Sequence, residues 1–206
     1  IKTSKKIILG FDPKLHTEKQ LNFLFKIKNI KLRSIEQNLV DMIWFNKPKD
    51  LIKPFFSISS KNAGTNRIKK IGQVKNILAK NKVDYLLVTA PENVAWILNI
   101  RGHDVAHSPI PNARLLISKK GDLAIFANSK KVINIKNIKA RYIEESKIEN
   151  ILNRLSGKKI WLDSLSCSFF YKILLKNKNK LLEKLDPIHS LKSIKNNTEI
   201  ENMKKA

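Results

Sequence analysis

The sequence predicts an α/β fold, with a mixed β-sheet flanked by helices. Three observations lead there. Short apolar runs such as Asp84–Thr89 and Lys158–Asp163 are separated by segments with helical apolar spacing. Ala113–Ser118 and Leu123–Ala127 flank Lys119-Lys120-Gly121-Asp122, a hairpin signature that calls for antiparallel neighbours. Hairpins mixed with helices imply a mixed sheet covered by helices, and no repeat of solenoid period is visible.

The elements follow in order. Lys6–Gly10 reads as a buried strand ended by Gly10, and Asp12-Pro13 as a turn. Thr17 with Gln20 fits a capping box for a helix through Ile27, whose apolar face is Leu21, Leu24, Phe25 and Ile27. Lys31–Ile35 is a short strand and Leu39–Trp44 a single helical turn. Asn46 to Pro54, with two prolines and alternating charges, marks a linker. Asn66–Lys80 is a helix with Ile68, Ile71, Val74, Ile77 and Leu78 at helical spacing. The continuous apolar run of Asp84–Thr89 suggests a strand buried on both faces. Pro91 suits the first position of a helix through Trp96 to Leu98. After the hairpin, Lys131–Ile135 and Arg141–Ile143 read as edge strands, where lysine is tolerated. A helix over Ser146–Leu155 ends at Gly157, which can take the left-handed conformation. Lys158–Asp163 is a strand, Ser168–Leu175 a helix and Leu182–Leu185 a strand, closed by Asp186-Pro187.

Composition narrows the function classes. At 206 residues and 42% hydrophobic, the chain can hold one ordinary domain and a smaller piece. Its apolar runs fall far below the ~20 residues that span a bilayer, so no membrane association is expected. The apolar run after Ile1-Lys2-Thr3-Ser4-Lys5-Lys6 is too short for a secretory signal. A single cysteine, Cys167, excludes an internal disulfide and suits a reducing cytoplasm; no Cys-His signature surrounds it, so its expected role is packing. The net charge of +24 invites a nucleic-acid reading. Only six of the 41 basic residues are arginines, however, and the lysines run with Ile and Asn from end to end. That is the bias an AT-rich genome imposes on solvated positions. No stripe of arginine forks or aromatics offers base contact, so no specific nucleic-acid partner is expected.

Several segments are more specific. Gly10-Phe11-Asp12-Pro13, Asn38-Leu39-Val40-Asp41-Met42-Ile43-Trp44 and Asn93-Val94-Ala95-Trp96-Ile97-Leu98-Asn99-Ile100-Arg101-Gly102-His103-Asp104-Val105 resemble segments of the three-domain aminopeptidase P (Xaa-Pro aminopeptidase) family. Pro109-Ile110-Pro111 and Lys192-Ser193-Ile194-Lys195-Asn196-Asn197-Thr198-Glu199-Ile200-Glu201-Asn202-Met203 follow in the same order. The resemblance implies two creatinase-like N-terminal α/β domains before a pita-bread catalytic domain. Residues 1–50 would be the end of the first, 51–191 the second, and 192–206 the start of the helix into the third. A chain that opens at Ile1 and stops at Ala206 is then expected to be a fragment. By the same resemblance the parent enzyme removes an N-terminal residue that precedes proline. Two divalent metals, typically manganese, are held by two aspartates, a histidine and two glutamates downstream, so this chain holds no cofactor. Its implied partners are its own catalytic domain, a second copy in a homodimer, and peptides with proline second.

The local chemistry offers no independent active site. Glu144-Glu145 and Glu199…Glu201 read as helix-start charges. His103 and His107, four apart, would bind metal only on a helix, which Gly102, Pro109 and Pro111 argue against. His16 and His189 read as surface residues. Phosphate loops and a nucleophile elbow are missing. Polar groups cluster after a buried helix at one place, the turn Arg101-Gly102-His103-Asp104. Arg101, His103 and Asp104 are the candidate substrate or domain-interface residues, the other reading being an ion pair that locks the loop.

Overall fold

A computed structural model describes residues 5–25, 28–48, 52–135 and 137–206. At its N-terminal side β1 (Ile7–Phe11) and β2 (Ile30–Ser34) pair in parallel, crossed over by α1 (Glu18–Phe25). The capping box forms as expected: Thr17 N–H donates to Gln20 Oε1 at 2.9 Å and Gln20 N–H to Thr17 Oγ1 at 3.2 Å. Of the expected α1 face only Leu21 is buried; Leu24 is half exposed, and Ile27 lies outside the described residues. The expected turn is α2 (Leu39–Ile43), capped by Asn38, whose amide also donates to Asp12 Oδ2 at 2.8 Å. In the linker, 46–48 and 52–54 are irregular, and 49–51 lie outside the described residues.

The larger body begins with β3 (Phe56–Ser57) and α3 (Ser60–Ala63), which the sequence pattern did not suggest. Then come α4 (Arg67–Lys80), β4 (Tyr85–Val88), α5 (Pro91–Leu98) and β5 (Ile100–Arg101). The hairpin is β6 (Arg114–Ser118) and β7 (Leu123–Phe126), followed by β8 (Arg141–Ile143), α6 (Ile148–Asn153), β9 (Lys159–Leu162) and α7 (Phe169–Lys176). The chain finishes with β10 (Lys180–Glu183), α8 (Pro187–Ser193) and α9 (Asn197–Lys205). Six strands form one mixed sheet in the order β10-β9-β4-β6-β7-β8. β10, β9 and β4 run parallel, β6 is antiparallel to both β4 and β7, and β8 is parallel to β7 at the edge.

Both faces of the sheet are covered, so β4 is buried along its length although its side chains alternate. Leu86 and Val88 join Val74 and Leu78 of α4 and Val94, Ile97 and Leu98 of α5. Leu87 faces the other way, toward Ile148 and Leu152 of α6 and Leu175 of α7.

Three expectations need correction. Lys131–Ile135 is no edge strand: Ile133–Ile135 is a 3₁₀ turn, with Ile135 buried in it and Val132 and Ile138 buried on either side. The helix after β8 starts as a 3₁₀ turn over Glu145–Lys147 and ends at Asn153, with Arg154 as its cap, so Gly157 (φ +67°) lies in the following loop. Finally, the lysines are not uniformly solvated: Lys70, Lys131 and Lys172 are buried.

Lys172 joins the two bodies. Its ammonium, on α7, pairs with Glu18 at the start of α1 and with Glu183 of β10 at 2.6 Å. Beside it Phe169 N–H donates to His16 O at 2.7 Å and Phe170 N–H to Pro13 O at 2.9 Å, while the Phe11 and Phe169 rings meet edge-on.

Candidate functional site: the cleft beneath the last helix

The turn after α5 is set by its cap. Asn99 sits in the left-handed region (φ 51°, ψ 47°), which asparagine tolerates, and its Nδ2 donates to Thr65 O at 2.9 Å. The chain then enters β5, where Arg101 pairs opposite Phe56 of β3. Gly102 presses against the second proline of Pro109-Ile110-Pro111: a Cβ there would stand 2.7 Å from Pro111 Cα. This close approach is what the glycine supplies.

The three candidate residues take separate partners. Arg101 is half-buried, and its Nη1 donates to Ile100 O at 2.8 Å and Ala95 O at 3.4 Å. Burial pulls its pKa down, with the Glu199 charge opposing. His103 is exposed, its ring 5.4 Å from that of Phe56. Asp104 accepts from Lys131 Nζ and from Asn112 N–H, each at 2.6 Å. The loop therefore holds an ion pair, but its cation is Lys131, thirty residues beyond the arginine. His107 has φ +59° in irregular chain, so the two histidines do not share a helix face. Among the described residues no three His, Cys, Asp or Glu come together as metal ligands, and no helix is long and apolar enough to cross a membrane.

Arg101 instead lines a cleft of about 340 Å³ with Ile58, Lys70, Trp96, Asn99 and Glu199. Its floor is a buried lysine: Lys70 Nζ donates to Asn99 Oδ1 at 2.7 Å and Trp96 O at 2.9 Å, and lies 4.0 Å from the centre of the Trp96 ring. Its roof is α9. Asn196 and Glu199 close a capping box at the start of that helix, and Glu199 Oε1 also accepts from Trp96 Nε1 at 3.2 Å. Asn196 Nδ2 reaches back to Ala63 O at 3.0 Å. This seat needs Gly64, which has φ +69° and whose Cβ would fall 2.1 Å from Asn196 Oδ1.

Burial lowers the Lys70 pKa from 10.5 to about 8; Glu199 opposes the shift and Arg101 adds to it. Between about pH 8 and 10.5 the unfolded chain holds this proton and the folded chain does not, so this lysine makes stability rise with pH across that window. Urea melts of the chain and of Lys70→Met from pH 7.5 to 10.5 should differ in slope there. Parallel curves would show that Lys70 titrates as an ordinary surface amine.

A second polar cluster closes the C-terminal ends of β4, β9 and β10. Asp186 caps α8 through Ile188 N–H, accepts from Asn93 Nδ2 at 2.8 Å, and donates its own N–H to Asp163 Oδ2 at 3.1 Å. Burial, aided by the Asp163 charge, pushes its pKa up to about 6. Cys167, whose N–H donates to Asp163 O at 2.8 Å, is buried, and burial pushes its thiol up to about 12, which leaves it unreactive near neutrality.

The sequence reading missed Lys70, and the signal was present. Lys70, Val74 and Leu78 stand at i, i+4 and i+8, so Lys70 occupies the buried stripe of α4, whereas Ile68, expected there, is 78% exposed. Glu199, read as a helix-start charge, also holds Trp96.

Known proteins resemble this chain in sequence and in fold. Xaa-Pro aminopeptidase 1 of Dictyostelium discoideum is 27% identical over 214 residues, covering 96% of this chain and 34% of the relative. The X-prolyl aminopeptidase of Caenorhabditis elegans, described as a cytosolic enzyme with a di-nuclear active site, superposes with a TM-score of 0.85 at 20% identity, over 99% of this chain and 35% of that one. A Xaa-Pro dipeptidase from Bacillus anthracis matches 68% of the chain and 40% of its own, with a TM-score of 0.55 at 16% identity. The chain thus spans about a third of the length of the curated relative it matches. The family described as Creatinase/Prolidase N-terminal domain matches residues 46–199. With the strand order, the covered faces and this match together, the chain belongs to the creatinase/prolidase N-terminal domain family.

Proposed function

We propose that this chain is the non-catalytic N-terminal region of a metal-dependent Xaa-Pro aminopeptidase. One observation carries the reading. The aminopeptidase match takes in 96% of the chain, and so the β1–α2 body as well as the six-stranded one, whereas the dipeptidase fold match takes in 68%. In this reading residues 1–50 end a first creatinase-like domain, 51–191 are the second, and 192–206 lead into the catalytic domain. That domain supplies the two-metal chemistry, with manganese the typical ion, since the described residues of this chain offer no such ligand set. The chain contributes domain packing, a homodimer contact and access to the site, with Arg101, His103 and Asp104 on the side facing substrate or catalytic domain. The substrate class is a peptide with proline second, and the expected compartment is the cytoplasm.

The test compares the 206-residue chain with the longer protein that carries it, each given manganese and an Xaa-Pro peptide. Release of the first residue is expected from the longer protein alone, and is expected to stop with a chelator. Turnover by the 206-residue chain, or none by the longer protein, would overturn the proposal.

A further inference from the structure

The cleft beneath α9 is lined by three cationic side chains, Lys70, Arg101 and Lys195, against one carboxylate, Glu199. That carboxylate is already engaged, accepting from Trp96 Nε1 and from Asn196 N–H. Lys70 and Lys195 are hydrogen-bonded to neutral acceptors, the latter to Lys192 O at 2.6 Å. Arg101 is different. Its Nη1 group goes to two backbone carbonyls, while its Nε–Nη2 edge has no acceptor among the described residues. That edge presents parallel N–H groups to the side of a carboxylate, the bidentate geometry in which arginine binds most specifically. A half-buried guanidinium without an ion-pair partner, next to a buried ammonium, lacks one negative charge. Burial also lowers the pKa of both cations, and the single Glu199 charge offsets only part of that desolvation.

We propose that this cleft is a binding site for a carboxylate group, gripped by the Nε–Nη2 edge of Arg101 with Lys70 beneath it. The carboxylate comes from a peptide C-terminus or from an acidic side chain. The site follows from this chain's own residues and does not depend on the peptidase reading, so either can fail without the other.

The readout is the indole N–H signal of Trp96, which bonds directly to Glu199 in the cleft. The Trp161 indole, bonded to Lys184 O, serves as the internal control for general anion effects on a chain of charge +24. Acetate is expected to shift the Trp96 signal saturably and to leave Trp161 in place. Arg101→Gln should weaken the response about tenfold or more, as loss of a charge-assisted pair implies. Glu199→Gln removes the competing charge; its one amide oxygen can keep the capping-box bond from Asn196 N–H while the Trp96 bond is given up, so acetate titrations are read against the variant's own starting signal. It should tighten acetate binding several-fold, a gain that misfolding cannot imitate. An Ala-Pro-Ala free acid, its amide, and a doubly blocked peptide with one aspartate separate the two sources. Binding of the free acid but not the amide assigns a chain terminus, and binding of the blocked aspartyl peptide assigns a side chain. The proposal is overturned if acetate moves neither signal or both alike, if Arg101→Gln binds as well as the parent chain, or if Glu199→Gln binds more weakly.

Discussion

Replacing Phe55 by alanine is expected to lower the stability of the chain by about 3–5 kcal/mol, the range for emptying a fully buried aromatic position. Phe55 is 0% exposed and belongs to the cluster with Val74, Leu78, Val94, Ile97 and Ile100. Its N–H donates to Lys131 O at 2.7 Å, so its backbone is also tied to the segment that leads into the 3₁₀ turn. The neighbours belong to α4, α5 and β5, regular elements that cannot close over the void without shifting against one another. The effect should reach the cleft. Phe55 directly precedes β3, which fixes Arg101 through the Phe56–Arg101 register, and Ile58 N–H donates to Asn99 O at 2.8 Å. Denaturant melts should record the loss, and hydrogen exchange at Ile58 should quicken beyond that of β4. A loss below about 1 kcal/mol would mean that the core collapses around the missing ring.

Lys172→Ala should be the second large effect, and a regional one. Lys172 is 6% exposed and pairs with two carboxylates that meet nothing else in common. Its partners hold its pKa above 10.5 despite the burial, so the stabilisation is present below that value and fades as pH rises through the folded-state pKa. Removing the ammonium leaves Glu18 and Glu183 facing each other. Their side chains are 38% and 35% exposed, so water screens part of the repulsion. The expected cost is about 1–3 kcal/mol. The diagnostic readout is local: exchange at Phe169 and Phe170, whose N–H groups bond to the β1–α1 connection, should quicken more than at the β6–β7 hairpin. Equal protection at both places would show that Lys172 does not join the two bodies.

Much of the fold was legible because local rules and tertiary packing agree. Thr17 and Gln20, Asn66, Pro91 and Ser168 begin helices where their chemistry says they should. The hairpin around Gly121, with φ +92°, needed no tertiary information. Legibility failed where a residue serves a distant partner. Lys131 reads as an edge-strand lysine until Asp104, 27 residues away, is brought to it. Lys70 reads as solvent-facing because charge outweighs spacing in a sequence pattern. Only the Trp96 and Asn99 acceptors, 26 and 29 residues on, make its burial tolerable. The Arg101 turn was located correctly from its residues, but proximity in sequence did not become proximity of function, since Arg101, His103 and Asp104 turn to three different neighbours.

The seat of α9 has a mechanical consequence. Nine residues at ~1.5 Å each make a lever of ~13 Å, pivoted where Asn196 grips Ala63 O beside Gly64. A tilt of ~10° at that pivot would swing the far end by ~2 Å, on a rigid rod of ~1.5 Å per residue. Because Trp96 holds Glu199 one turn along, the rod is clamped at two points, and aim is set by a backbone carbonyl and an indole. Whatever is attached beyond Lys205 inherits that aim. The exposed lysines of the rod can drift freely, whereas a methyl group added at Gly64 would redirect everything downstream of it.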